Sequence, residues 1–310
     1  MTETMKVAHV FPGQGSQWVG MGRDLYQGFD SAKAVFEQAD EALGFPLSRL
    51  CFEGPEDELL QTVNAQPAIV TVSFACLEAM RNMSGVAPAF VAGHSLGEYA
   101  ALAAAGVLDF ATTVYLARER GRLMHEAGQK IPGGMAAIIG LDEPALTEVC
   151  SETGARIANI NCPGQIVISG AEGNLAQAMD LVKARGAHRV IRLQVSGAFH
   201  TPLMQSAVDG MAEIIAKLSF NQPAIPIVGN TTAQPLVTAE LVKEELLRQL
   251  CNCVQWQRSV EYMLGDGVSS FIELGPGRVL AGLIKRIDRN VNIINIGDAE
   301  AVKNMKAGVD

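Results

Sequence analysis

The run Gly93-His94-Ser95-Leu96-Gly97 carries the strongest chemical signal in the chain. A short apolar segment, Ala89 to Ala92, precedes it, and an Ala/Leu-rich segment, Leu96 to Leu108, follows. Gly-x-Ser-x-Gly between a strand and a helix is the pattern of a nucleophile elbow. A turn that sharp brings backbone against backbone, so a Cβ at Gly93 or Gly97 would clash. It would raise the Ser95 hydroxyl at a helix start, where free N–H groups favour developing negative charge. A Gly-rich turn with an incidental serine would read the same way, because short motifs recur by chance.

A serine hydroxyl is a weak nucleophile until a base takes its proton. The chain has five histidines: His9, His94, His125, His188 and His200. His9 falls inside a strand pattern and reads as a core group; His125 and His188 fall near polar segment ends. His94 adjoins Ser95, but successive residues at a strand end point opposite ways. His200, in Ser196-Gly197-Ala198-Phe199-His200-Thr201-Pro202, sits in a loop before a helix and is the best candidate base. Hydrolases of this layout place an acid between serine and histidine. Asp142 and Asp180 are available, but neither lies in a loop of the large sheet. A dyad is therefore expected, with the imidazole oriented by a backbone or amide oxygen. Arg120 sits on a predicted helix over 112–127, where an arginine is ordinarily solvated. Inside an acyl pocket it would instead fork onto a carboxylate.

These groups need a scaffold. Lys6 to Phe11 reads as a buried parallel strand, followed by the turn Pro12-Gly13-Gln14-Gly15-Ser16-Gln17. That turn lacks a third fingerprint glycine, Trp18 standing there, and no Gly-Lys-Ser/Thr follows, so dinucleotide and phosphate-loop cofactors are excluded. Helices are predicted over 25–43, 67–80, 96–108 and 112–127, with Pro67 in a first turn and Asp109 as a cap. After a breaker cluster at 129–134 the pattern becomes β-α-β-β-α-β, the order of a ferredoxin-like unit. Helix and strand patterns of the large domain then resume from Pro202, and the tail from Lys303 is expected to fray.

The fold class is thus α/β: a large domain over 1–128 and 199–310, and an inserted α+β subdomain over 129–198. Hydrophobic residues make up 48% and charged residues 18% of 310, so the chain is globular. A net charge of −9 argues against nucleic-acid binding. No apolar run reaches the length of a membrane span, and Met1 to Val10 does not read as a secretory signal. The six cysteines show no framework or metal spacing; reduced thiols and a cytoplasmic location are expected.

Seven motifs in order resemble the malonyl-CoA:acyl carrier protein transacylase family over nearly the whole chain. They are Phe11-Pro12-Gly13-Gln14-Gly15-Ser16-Gln17, Gly93-His94-Ser95-Leu96-Gly97-Glu98-Tyr99, Arg120-Gly121, Asn161-Cys162-Pro163-Gly164-Gln165, Gly197-Ala198-Phe199-His200, Val254-Gln255-Trp256 and Glu273-Leu274-Gly275-Pro276-Gly277. The resemblance implies an α/β-hydrolase-like large domain with a ferredoxin-like insert. It implies Ser95 as acylated nucleophile, His200 as base, Gln255 as the residue orienting that base through a carbonyl oxygen, and the N–H groups of Gln14 and Leu96 as oxyanion hole. Arg120 would bind the malonyl carboxylate, with Asn161, Phe199 and His94 near the acyl group. Cys253 stands where the family often has proline, which is expected to loosen the loop holding Gln255. The implied reaction moves malonyl from malonyl-CoA to holo acyl carrier protein, in fatty acid or polyketide synthesis, by a monomer without metal or cofactor. A serine esterase or thioesterase on the same scaffold, or a transferase for another acyl-CoA, remains open at this point.

Overall fold

The computed structural model describes residues 6–81 and 87–306. The described strands are β1 (Lys6–Phe11), β2 (Phe90–Gly93), β3 (Gly133–Ile139), β4 (Arg156–Cys162), β5 (Gln165–Ala171), β6 (Arg189–Arg192), β7 (Ile227–Val228), β8 (Pro235–Leu236), β9 (Val268–Leu274) and β10 (Asn292–Ile296). They form two sheets. The larger has the order β10-β9-β1-β2-β7-β8 and is parallel except for the β7–β8 pair. The smaller is antiparallel, in the order β4-β5-β3-β6.

Central strands β1 and β2 are nearly continuous apolar runs because helices cover both faces of the large sheet. One face packs in a large cluster that includes Phe11, Leu77, Leu96, Tyr99 and Ile272. The other packs in a cluster around Ala92, Trp256 and Phe271, and the small sheet has its own core around Ile138, Ile168 and Leu175. Helix Thr62–Arg81 has the length and apolar composition of a membrane span, against the sequence expectation. It is a core helix: 78% of its apolar window is buried within the fold.

The elbow is as tight as its glycines require. A Cβ on Gly93 would lie 1.9 Å from Gly97 C, and one on Gly97 would lie 2.0 Å from Phe11 O. No side chain fits between β1, β2 and the helix Gly97–Ala104 at those points.

Some boundaries differ from the sequence reading. The segment 25–43 is two helices, Arg23–Gly28 and Asp30–Leu43, because Phe29 between them is extended. Pro67 lies inside helix Thr62–Arg81 rather than in its first turn, since Asn64 and Ala65 N–H already bond to Gln61 O. The tail continues as a helix, Ala299–Lys306, anchored by Ala299 N–H to Asp24 Oδ2 (2.7 Å) and by buried Val302. Residues 1–5 of the expected N-terminal segment and 307–310 of the expected frayed tail lie outside the described residues.

Two backbone contacts tie the small sheet to the loop before helix Trp256–Gly265. Val254 N–H donates to Ala158 O (2.8 Å), and Ile160 N–H donates to Val254 O (2.9 Å). With Gln255 N–H on Asn230 O (2.7 Å), they pin the loop that Cys253 was expected to loosen. Backbone bonds on both sides do the work proline would have done.

His9, in β1, is a packed core group whose Nε2 has no hydrogen-bond partner. Burial, and secondarily the Arg81 charge, lower its pKa to about 4. The unfolded chain then binds one more proton than the folded one between roughly pH 4 and 6.5, so His9 removes stability as pH falls through that window. The full penalty is about 3 kcal/mol. His9→Leu is expected to flatten the fall in Tm between pH 7 and 4; an unchanged slope in thermal unfolding would refute this.

Candidate active site

The site forms at the carboxyl ends of β1 and β2, where open α/β sheets place ligands. Ser95 has φ 51° and His200 φ 60°, both in the left-handed region that non-glycine residues seldom enter. The strain at Ser95 is held by its neighbours: Ser95 N–H donates to Asn230 Oδ1 (2.6 Å), and Ser95 O accepts from Gln249 Nε2 (3.0 Å).

Ser95 Oγ lies 2.9 Å from His200 Nε2. His200 Nδ1 lies 2.8 Å from the backbone oxygen of Gln249, so the expected dyad is oriented by a main-chain carbonyl. That carbonyl ends the helix Ala239–Gln249, whose last-turn oxygens have no partner within the helix. Gln255 does not orient the histidine. Its own carbonyl accepts from Ser259 N–H (2.9 Å) as the cap of helix Trp256–Gly265, and its side chain is bonded by Arg258. Burial, then the Arg120 charge, lower the His200 pKa to about 3. The imidazole is therefore neutral and can take a proton near neutrality. With Nδ1–H on the carbonyl, Nε2 presents its lone pair to the hydroxyl.

Arg120 is 1% exposed, not solvated, although it shares its helix Phe110–Lys130 with exposed arginine. Its Nη2 donates to Ser95 Oγ (3.0 Å) and Gln249 Oε1 (2.8 Å), and Nη1 donates to Gln66 Oε1 (2.8 Å). Nε has no partner, and no carboxylate among the described residues lies within ion-pair distance. Burial pushes its pKa down from the usual arginine value, but a guanidinium keeps its proton. A buried cation with an unused N–H and no counter-ion is a ready receptor for an anion.

Gln14 lines the same cavity as Ser95 and Leu96 follows Ser95 in the chain, and neither backbone N–H has a partner among the described residues. Gln14 Nε2 meanwhile bonds Thr62 Oγ1 (3.1 Å), which fixes its turn. His94 Nε2 pairs with Asn161 Oδ1 (2.8 Å), bringing an elbow residue and a β4 residue together across the two sheets. Burial lowers the His94 pKa, which keeps it neutral too. Phe199 is buried in the cavity wall. The cavity measures about 250 Å³ and is lined by Ser95, His200 and Arg120. Met135, Val167 and Asn161 of the small sheet also line it, with Val279, Leu280 and Leu283.

The sequence reading missed Gln249, Asn230, Glu98 and Gln66 as parts of this site. Glu98 stands within a motif already noted; the others carry no local signal.

Comparison with known proteins agrees with this geometry. Residues 8–309 match the acyl transferase domain family. The chain belongs to that family. A malonyl CoA-acyl carrier protein transacylase of Bacillus subtilis is 45% identical over 303 residues, 96% of this chain and 95% of that one. The Escherichia coli protein of the same name is 44% identical over 284 residues, 90% of this chain and 92% of its own. Among solved structures, the acyl-carrier-protein-S-malonyltransferase of Bartonella henselae superposes with a TM-score of 0.94 at 39% identity, covering 98% of this chain and 99% of its own. A malonyl-transacylase solved in complex with a type II PKS acyl-carrier protein gives the same score, identity and coverage. Members of the family thus share with this chain a mixed α/β fold with a parallel sheet.

Proposed function

We propose that this protein is a malonyl-CoA:acyl carrier protein transacylase. The observation that carries the reading is one hydroxyl held between two groups. Ser95 Oγ faces the neutral His200 imidazole at 2.9 Å and the counter-ion-free Arg120 guanidinium at 3.0 Å. A general base beside a cation suits an acyl group that bears its own carboxylate.

In the first half-reaction, Ser95 Oγ attacks the malonyl thioester carbonyl while its proton passes to His200 Nε2. The N–H groups of Gln14 and Leu96 would receive the tetrahedral oxyanion, each worth roughly 3–4 kcal/mol by analogy with known oxyanion donors. Collapse breaks the C–S bond; the coenzyme A sulfur takes the proton from the imidazolium and leaves. In the second, a phosphopantetheine thiol gives its proton to His200 and attacks the acyl-serine. The C–Oγ bond breaks and Oγ regains the proton. Arg120 grips the malonyl carboxylate throughout, with Phe199, His94 and Asn161 shaping the space around it.

The strand order of the two sheets supports an α/β-hydrolase-like catalytic domain over 1–128 and 199–310 with a ferredoxin-like insert over 129–198. The chemistry is complete within one chain, which supports a monomer, and free cysteines suit a reducing cytoplasm. The test follows the fate of the acyl group. With malonyl-CoA and holo acyl carrier protein, malonyl-carrier protein should accumulate and free malonate should not. Malonate as the main product would make the protein a thioesterase.

Carrier proteins are typically acidic, so docking calls for local positive charge. Lys183, Arg185 and Arg192 on the insert are each paired with an acid. Arg286 instead bonds Gln165 Oε1 (2.6 Å) at the cavity wall, and Arg289 is exposed. The double replacement Arg286→Glu and Arg289→Glu is expected to raise the KM for carrier protein about tenfold at low salt. It should spare acylation by malonyl-CoA in single-turnover mass spectrometry. An unchanged KM would move docking elsewhere.

A further inference from the structure

Glu98 is a buried carboxylate one helical turn beyond the nucleophile, and the mechanism above does not use it. Its Oε1 accepts from Asn230 N–H (2.8 Å) and Asn230 Nδ2 (3.0 Å), and its Oε2 accepts from Gln249 Nε2. Each of these three contacts turns a donor toward it. A side-chain amide has one donor end and one acceptor end, so fixing one end fixes the other. With Nε2 on Glu98, Gln249 must present Oε1 outward, and that oxygen receives Arg120 Nη2 at 2.8 Å. The backbone oxygen of the same residue receives His200 Nδ1 at 2.8 Å.

The arrangement is an acid and a guanidinium kept apart by one amide. Glu98 and Arg120 are both buried, and Gln249 stands between them. Direct contact would occupy the guanidinium with an internal carboxylate and leave nothing for a substrate's. Removal of the acid would leave Ser95 O, at 3.0 Å, as the one remaining acceptor described for Gln249 Nε2, so the amide would be held less firmly. We propose that Glu98 is a positioning residue for acyl selectivity: through the orientation of Gln249 it holds Arg120 against Ser95 while leaving the arginine's remaining N–H groups open. This rests on the transacylase reading, because the selectivity concerned is for an acyl group with a carboxylate.

The isosteric change Glu98→Gln shows why one arm must fail. Asn230 offers two donors, one of them a backbone N–H that cannot turn. The new amide would direct its oxygen there and its NH₂ at Gln249 Nε2. Two donors then face each other, so Gln249, whose Nε2 is still bonded to Ser95 O, shifts and draws Oε1 away from Arg120 Nη2. The arginine loses its acceptor.

The experiment measures kcat and KM for malonyl-CoA and acetyl-CoA in wild type, Glu98→Gln, Gln249→Met and the double variant. Wild-type malonyl transfer tests the function itself, independently of Glu98. In Glu98→Gln, kcat/KM for malonyl-CoA should fall about 30-fold, mostly through KM, in line with loss of one charge-assisted hydrogen bond. The acetyl value should stay within about threefold. The double variant should be no worse than Gln249→Met alone, as expected when one residue acts through the other. Equal losses for both acyl groups would mark a merely structural role and overturn the proposal, as would additive losses or no loss. Gln249→Met keeps Glu98 intact and cuts the same link. Unchanged selectivity there overturns the proposal even if Glu98→Gln fails to fold.

Discussion

Ser95→Ala is expected to eliminate the acyl-enzyme and lower malonyl transfer by ~10⁵-fold, the scale seen when a nucleophile is removed from a base-assisted site. The geometry explains why no substitute steps in. The neutral imidazole and the guanidinium converge on one oxygen atom, at 2.9 and 3.0 Å. Of the cysteines, those nearest in sequence to the histidine-orienting carbonyl, Cys251 and Cys253, have thiol pKa values pushed up by burial and are poor nucleophiles. Without Oγ, His200 has nothing to deprotonate except water, and the covalent stage of the double displacement is lost. Intact-mass analysis after brief exposure to malonyl-CoA reads the outcome directly. A persistent malonyl adduct on the alanine variant would mean that another side chain is the nucleophile.

Arg120→Ala should produce the second-largest change, and a selective one. Malonyl-CoA kcat/KM should fall ~10³-fold, while acetyl-CoA turnover falls by no more than about tenfold. A charge-assisted hydrogen bond to a carboxylate is roughly twice as strong as a neutral one, and the attraction of the opposite charges in a buried site adds to it. The smaller acetyl effect reflects loss of the 3.0 Å contact to Ser95 Oγ, which eases negative charge onto that oxygen. The same change removes the nearest positive charge from His200, so the histidine pKa should rise from about 3. The acid limb of the single-turnover acylation rate should then move to higher pH. Equal loss of malonyl and acetyl activity, with an unmoved acid limb, would refute the clamp.

The serine, histidine and arginine could be found in the sequence because their chemistry belongs to their side chains and their motifs are local. Ser95 lies between two glycines that only a close backbone approach demands, and His200 was the histidine left once the core and solvated ones were set aside. The orienting group escaped for the opposite reason. Its working atom is a main-chain oxygen, which every residue owns, so the resemblance points to the nearby Gln255 where the structure has Gln249. Only the end of a helix singles out Gln249, and helix ends are the least legible feature of a sequence. Glu98 was visible as a residue but not as a part, because its partners stand 132 and 151 positions away. The strand and helix order of the 129–198 segment was legible because its periods change cleanly from two to 3.6. The boundaries at Pro67 and Phe29 were not legible, because the helix starts a turn earlier on Gln61 O and an extended Phe29 divides one apolar pattern into two helices.

The cavity is lined by residues of both the large domain and the small sheet, joined by the His94–Asn161 bond and the Val254 bridge. Bond-making and the demand for a charged guest therefore sit together on the larger framework, while the smaller one supplies side chains that bound the rest of the acyl group. Met135 and Val167 make none of the described contacts to the hydroxyl, its base or the guanidinium, so bulkier or slimmer replacements there retune the fit alone. A scaffold divided in this way can widen its appetite for acyl shapes without giving up the charge it requires.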